Sequence, residues 1–221
     1  MDERHPLLVP GRRATFFESL RYALNGVLRT LCTQRNMKIH WISGTAVMLV
    51  GMALALDLSS RASVMFCVGL VVCMEVLNTA LEAFVDLHVK QYAHTAMVAK
   101  DAAAGAVLIL AVASVVVFSD ILFHRWSIVA SGGPAVVRTV IFGVPLLIFM
   151  GLGLWLPRKP VILVILGAIT MGLVAFLAIE SRDEVFSAGA SAFVLSAFYA
   201  RWIEPKLVIS GSTPASPLPG P

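Results

Sequence analysis

Four polar residues stand in a stretch that is otherwise suited to hydrocarbon. Glu75, Asn78, Glu82 and Asp86 interrupt the apolar run from Ala62 to Leu87. At about 100° per residue, their spacing puts them on one helical stripe less than about 90° wide. An ionisable group inside an apolar membrane span costs about 2.5–3.5 kcal/mol at its centre on insertion scales, so a stripe of them demands an account. Carboxylates near a membrane surface can hold Mg²⁺, which takes a few oxygen ligands plus substrate phosphates. A deeper carboxylate can accept a proton from a hydroxyl held in the lipid. Across a short connection, Lys100-Asp101 adds a cation for a phosphate and a further acid, and Tyr92 offers a ring that can stack on a base. The stripe alone also admits a proton or ion pathway, or carboxylates paired with basic residues to hold a bundle together.

Apolar helices must position these groups, and the composition supplies them. Of 221 residues, 58% are hydrophobic and 14% charged, against about 25% charged in an average soluble domain. Apolar runs of about 17–25 residues match the thickness of a bilayer, which excludes an ordinary soluble or disordered chain. Six spans are expected: Trp41 to Leu58, Ala62 to Leu87, Asp101 to Phe123, Thr139 to Leu156, Val161 to Ile179 and Val185 to Ile203. Asp57 is a plausible cap for the second, and Asp101 stands at the start of the third, where a carboxylate suits the helix dipole. The turn Pro157-Arg-Lys-Pro160 separates the fourth from the fifth. No apolar h-region with a small-residue cleavage site occupies the first forty residues, so the first span is expected to stay in the mature protein.

The basic residues orient the bundle. Arg61, Arg125, Arg138 and Arg182 fall on one side, and the other 13 of the 17 Lys and Arg on the opposite side. Under the positive-inside rule both termini face the cytoplasm. The net charge of +4 brackets apolar runs and is not gathered into aromatic-interleaved patches, so nucleic acid is not an expected partner. Phe16 to Lys38 mixes apolar with basic residues and reads as an amphipathic helix at the cytoplasmic interface, or else as an extension of the first span. The cysteines, Cys32, Cys67 and Cys73, have neither disulfide nor metal spacing and read as packing residues.

The exact order of the polar residues is more specific than their types. Glu75-Val-Leu-Asn-Thr-Ala-Leu-Glu82-Ala-Phe-Val-Asp86, followed by Lys100-Asp101-Ala-Ala-Ala-Gly105-Ala-Val, closely resembles the signature of the prokaryotic diacylglycerol kinase and undecaprenol kinase family. The likeness covers about Ser19 to Phe123 and includes Arg21-Tyr22-Ala-Leu-Asn-Gly26. It implies an all-α polytopic membrane protein, with an interfacial helix and a three-span kinase bundle, here followed by three further spans. It also implies ATP- and Mg²⁺-dependent phosphorylation of a membrane lipid alcohol in the bacterial cytoplasmic membrane, by a homotrimer with sites between subunits. Carried over by position, Glu75 is the general base and Glu82 a metal ligand. Asn78, Lys100, Asp101, Tyr92 and Tyr22 contact the nucleotide, and Asp86 supports the interfacial end. The small residues after Lys100-Asp101 look more like the undecaprenol kinase branch.

One position departs from that pattern. The family usually has a second metal-binding glutamate before the first span, and the ungapped match places Gln34 there. The amide keeps a carbonyl oxygen but removes a negative charge. Three consequences are open: lower metal affinity, compensation by a neighbour such as Glu18 (otherwise a solvated helix-face residue), or weak activity.

Other residues are expected to be structural. His40 reads as interfacial, His88 and His94 as solvated. Trp41, Trp126, Trp155 and Trp202 fall at span ends, as an aromatic belt would. The segment Phe186-Ser-Ala-Gly-Ala-Ser-Ala-Phe faintly resembles the Pro-Ser-Gly-His helix start of lipid phosphatases, without the histidine. The three extra spans therefore read as a packing module rich in Gly and Ala, and Glu180, Arg182, Asp183 and Glu184 as a solvated outer loop. Residues 1–15 are expected to form a flexible arm, 16–125 the kinase domain, 126–138 a linker, 139–206 the extension and 207–221 a disordered tail. A cation-coupled transporter or a non-enzymatic membrane protein using the acidic stripe is the alternative.

Overall fold

The structure, a computed structural model, describes residues 15–131, 133–157, 159–181 and 183–209, with side chains described up to residue 204. The expected arm up to residue 14, the expected tail from residue 210, and Arg158 and Arg182 of the charge count lie outside the described residues. Eight helices and no strand occur among the described residues: α1 (Phe16–Thr33), α2 (Arg35–Leu54), α3 (Leu58–His88), α4 (His94–His124), α5 (Trp126–Ala130), α6 (Pro134–Trp155), α7 (Pro160–Glu180) and α8 (Glu184–Ile209).

Local sequence explains most boundaries. Thr15 and Glu18 form a reciprocal capping box at the start of α1, the Glu18 carboxylate accepting from the Thr15 N–H at 2.9 Å. Glu18 is thus part of the helix start. It lies about 24 Å along α1 from Gln34 at 1.5 Å per residue, so within one chain it does not compensate for the missing glutamate. Gln34 is extended (φ −93°, ψ 125°) and breaks α1 from α2, so α1 is a helix of its own and not an extension of the first span. Leu28, Thr30, Leu31 and Cys32 on its second half are buried, while Phe16, Phe17, Leu20 and Leu24 are exposed. Burial pushes the Cys32 thiol up to about 11, which keeps it a neutral packing group.

The expected cap of the second span is present: the Asp57 carboxylate accepts from the hydroxyls of Ser59 and Ser60 and from the Ser60 N–H. The expected start of the third span is corrected. Helix α4 begins at His94, so Asp101 lies two turns inside it, exposed, and not at the dipole's end. Hydropathy detects the part of a helix that suits lipid, and His94 to Lys100 is an amphipathic continuation beyond it. Helix α5 and the first turn of α6 occupy the range expected to be a linker.

Five of the described helices, α2, α3, α4, α6 and α7, are long and apolar enough to cross a membrane, and the chain is a multi-pass membrane protein. The expected sixth span, α8, is long enough but is not among those five. Its Ser, Gly and Ala residues and Arg201 suit a helix enclosed by other helices. Phe186, Ala190, Val194, Ala197 and Ala200 are each at most 1% exposed.

Packing divides the bundle into two parts. Helix α3 packs chiefly on α4, whereas α2 packs chiefly on α6 and α8, and α8 also covers α1 and α7. Glycines allow the closest approaches. A Cβ on Gly51 would stand 2.6 Å from the Phe186 ring, and one on Gly153 would stand 2.5 Å from that of Phe198. Phe193 sits on Gly44 in the same way as Phe186 on Gly51, so α2 and α8 run antiparallel with matched seven-residue steps. The segment that resembles a phosphatase helix start is therefore a packing face, with Phe186 at 0% and Ser187 at 8% exposure.

Of the loop before α8, Glu180 and Glu184 are exposed as expected, and Asp183 is corrected. Asp183 is buried: one carboxylate oxygen accepts from the Phe186 N–H at 3.0 Å, and the other lies 3.3 Å from Arg61 Nε on α3. Glu180 pairs with Arg138 at 2.8 Å, and Arg125 with Asp57 at 3.4 Å. Trp41 is not a belt residue either. It is 5% exposed inside the bundle, while Trp126, Trp155 and Trp202 are exposed.

Candidate active site

Helix α3 has 31 residues and α2 has 20. Because a short turn joins them at one end, α3 overhangs α2 at the other by about 15 Å. The polar stripe occupies that end. Glu75 is 2% exposed and Asn78 7% exposed, Glu82 is half-buried, and Asp86 is exposed at the tip, so burial deepens along the stripe.

The stripe is only partly satisfied. Asn78 Nδ2 donates to Glu82 Oε1 at 3.2 Å, leaving Asn78 Oδ1 and Glu75 Oε2 buried with no hydrogen-bond partner. Buried polar oxygens are normally paired, and leaving one unmade costs about 1–3 kcal/mol. Both orphans lie on the inner face of α3, one turn apart, beside Glu82. Two carboxylates and an amide are hard oxygen donors of the kind Mg²⁺ takes alongside phosphates and water. Among the described residues no group of three His, Cys, Asp or Glu forms a complete metal cluster, so a cation here would draw on the substrate for further ligands.

At the tip, Lys100 Nζ bonds Asp86 Oδ1 at 2.8 Å, joining α4 to α3, and Lys90 Nζ donates to the Asp86 carbonyl at 3.2 Å. The Lys100–Asp86 pair is solvated, and such pairs are readily exchanged for another anion. Tyr92 is 81% exposed in the connection before α4, with its hydroxyl 3.9 Å from Met97 Sδ. Asp101 is exposed. Tyr22 lies on α1, half-buried under the Arg21 guanidinium at 5.4 Å, and Gln34 lies at the α1–α2 break. The fold thus brings Glu75, Asn78 and Glu82 together, joins Asp86 to Lys100, and carries Tyr22 and Gln34 on separate elements. His88 and His94 are exposed, as expected.

Sequence reasoning missed what lies beyond the stripe. A groove of about 320 Å³ opens between α2, α3 and α4, lined by Ile39, His40, Ser43, Gly44, Val64, Val68, Val71 and Phe118 among others. Val64, Val71, Glu75 and Asn78 are the buried residues of α3, so the groove and the stripe share one helix face. Outward from Glu75 that face is apolar. The signal in the sequence was the apolar continuation of the stripe at three- and four-residue steps, which by itself cannot be told from core.

The fold and these groups define a polytopic helical membrane protein whose buried carboxylate and amide stripe ends at a charged tip. The chain belongs to the prokaryotic diacylglycerol kinase family, whose model matches residues 21–122. It is 47% identical over 100 residues to the diacylglycerol kinase of Synechocystis sp., an alignment covering 45% of this chain and 57% of that protein. It is 36% identical over 102 residues to the undecaprenol kinase of Bacillus subtilis, covering 46% of this chain and 83% of that protein. The chain thus spans a little over half the length of the first relative and most of the second. The family and both relatives are lipid kinases by name. No solved structure matches the chain.

Proposed function

We propose that the protein transfers the γ-phosphoryl group of ATP to the hydroxyl of a membrane lipid alcohol, diacylglycerol or undecaprenol, at the cytoplasmic face. The observation that carries this reading is the buried, unpartnered carboxylate oxygen of Glu75, one turn along the α3 face from Val71, which lines the apolar groove. A lipid alcohol has that same division. One hydrocarbon chain lies along Val64, Val68 and Val71, and its hydroxyl reaches Glu75. Glu75 takes the hydroxyl proton as the oxygen–phosphorus bond forms and ADP leaves with the bridging oxygen. Glu82 and Asn78, with Gln34, would hold Mg²⁺, which supplies charge neutralisation of the phosphates when bound. Lys100, released from Asp86, meets the phosphates. Tyr22, Tyr92 and Asp101 border the nucleotide, and Asp86 fixes the tip. In-line phosphoryl transfer needs little beyond such positioning and charge.

The same reading puts both termini in the cytoplasm of a bacterial inner membrane and residues 16–125 in the kinase domain. A homotrimer fits the exposed apolar faces of α3 and α4, among them Leu77, Leu81, Phe84, Leu108 and Val112. On α3 the stripe continues outward through Val71, Val68 and Val64, so the transporter reading has no further carboxylate on that stretch of the helix face to draw on.

The test is a transfer assay with full-length protein in lipid, labelled ATP and Mg²⁺, offering diacylglycerol and undecaprenol separately, with Glu75→Gln as control. Label should enter at least one lipid with wild type and be lost in the variant. No transfer to either lipid would sink the reading.

A further inference from the structure

The groove has a wall that the C-terminal helices hold from behind. Gly44 lines it from α2, and a Cβ there would stand 3.0 Å from Val68 on α3 and 3.0 Å from the Phe193 ring on α8. A single backbone position therefore touches both the groove's opposite wall and the helix behind it. Phe193 is in turn fixed to α2. Its ring stacks on Trp41, with centroids 4.3 Å apart and planes at 20°, and the Trp41 indole N–H donates to the Phe193 carbonyl at 2.9 Å. Ile39, His40 and Ser43, which flank Trp41 in sequence, face the groove. From the other side α2 meets α3 only sparsely. The setting of α2, and with it the width of the groove, is thus decided on the side of the C-terminal helices α6 and α8, where Phe193 of α8 is the contact directly behind the groove wall, because close-packed interiors transmit displacement.

We propose that Phe193 and Trp41 are positioning residues that set the width of the lipid-chain groove, making the C-terminal helices the element that selects which lipid alcohol is phosphorylated. This rests on the kinase reading above. Neither residue touches the reacting atoms, and both act through α2. Without the Phe193 ring, α2 settles toward α8 and the groove widens. A methyl group on Gly44, which lines the groove, does the opposite by taking up groove space against Val68.

The experiment uses full-length wild type, Phe193→Ala, Phe193→Tyr and Gly44→Ala in vesicles of fixed composition. The substrates are diacylglycerols and prenols of graded chain length. KM for each lipid, KM for ATP, kcat and thermal unfolding are measured. Phe193→Ala should shift the ratio of kcat/KM between bulky and slender lipids about tenfold toward the bulky ones, the scale on which pocket shape discriminates. KM for ATP and kcat should stay within about twofold. Phe193→Tyr, which keeps the stacked ring, should restore the wild-type ratio, and Gly44→Ala should move it the other way. If Phe193→Ala does not fold, Gly44→Ala and Phe193→Tyr carry the test. A ratio unmoved in the variants that fold, with active wild type, overturns this inference and leaves the kinase reading standing. Wild type inactive on every lipid overturns both.

Discussion

The α3–α4 hairpin and the block formed by α1, α2, α6, α7 and α8 are built from similar residues to opposite ends. Burial of the most apolar stretch does not separate them: it is 22% in α3 and 11% in α4 of the hairpin, and 50% in α2, 28% in α7 and 17% in α6 of the block. The hairpin carries the buried carboxylate, the buried amide and the charged tip. The block carries interlocked phenylalanines and glycines, and its ionic groups are used structurally. Arg201, for example, bonds the carbonyls of Gly153 and Leu156 at the end of α6 and pairs with Glu204. The contrast teaches that unsatisfied buried oxygens, more than the number of polar atoms, distinguish the site from the scaffold; Arg61 Nε also lacks a hydrogen bond, but its charge is met by Asp183 at 3.3 Å. Arg201 is as buried as Asn78, at 7% exposure each, but its bonds are made.

Perturbing each part should break the contrast in its own way. The largest effect is expected from Glu75→Gln: phosphoryl transfer should fall by about 10²–10⁴-fold, the usual worth of a general base, with an unchanged unfolding midpoint in detergent. A loss of stability instead would reassign Glu75 to the scaffold. Phe186→Ala should do the reverse, costing about 3–5 kcal/mol in equilibrium unfolding through the cavity it leaves against Gly51. Asp183→Ala removes the α8 cap and leaves Arg61 facing a buried gap, a loss of about 3 kcal/mol by the same measurement. Retained stability would show that the Arg61–Asp183 pair does not tie the two parts together. Gln34→Glu should lower the Mg²⁺ concentration needed for half-maximal transfer, and an unchanged titration would remove position 34 from the metal site.

The smallest effect concerns Asp57 and pH. Hydrogen bonds from Ser59, then Ser60, hold its carboxyl well below the ordinary carboxylate range. A depressed pKa contributes stability that is complete above the unfolded value and is lost as pH falls toward the folded one. Wild type and Asp57→Ala should therefore differ in unfolding midpoint at neutral pH and converge in acid. A gap independent of pH would mean that charge at the cap is irrelevant.

Much of the membrane architecture was legible because hydrocarbon imposes a length and excludes charge, and a one-dimensional pattern records both. The Asp57 cap and the Glu75 stripe are likewise local, readable at three- and four-residue steps. Trp41, Asp183 and the start of α4 were not. The first two depend on partners far away in sequence, Phe193 and Arg61, and nothing near Trp41 distinguishes a ring at the interface from one stacked inside a bundle. The α4 start was missed because its first two turns extend beyond the apolar stretch. Within the site, the sequence supplied the residues on α3, but the groove needs three helices at once.

The antiparallel seating of α8 on α2 bears on the order in which the molecule can be completed. Helix α2 is synthesised before α8, and the notches at Gly44 and Gly51 stay open until α8 emerges from the ribosome. Until then the Trp41 indole N–H lacks the Phe193 carbonyl and the α8-facing side of α2 is uncovered. A chain ending after α4 would contain the whole matched region with an unfinished wall, so part of the geometry of α2 is conferred by a helix made after it.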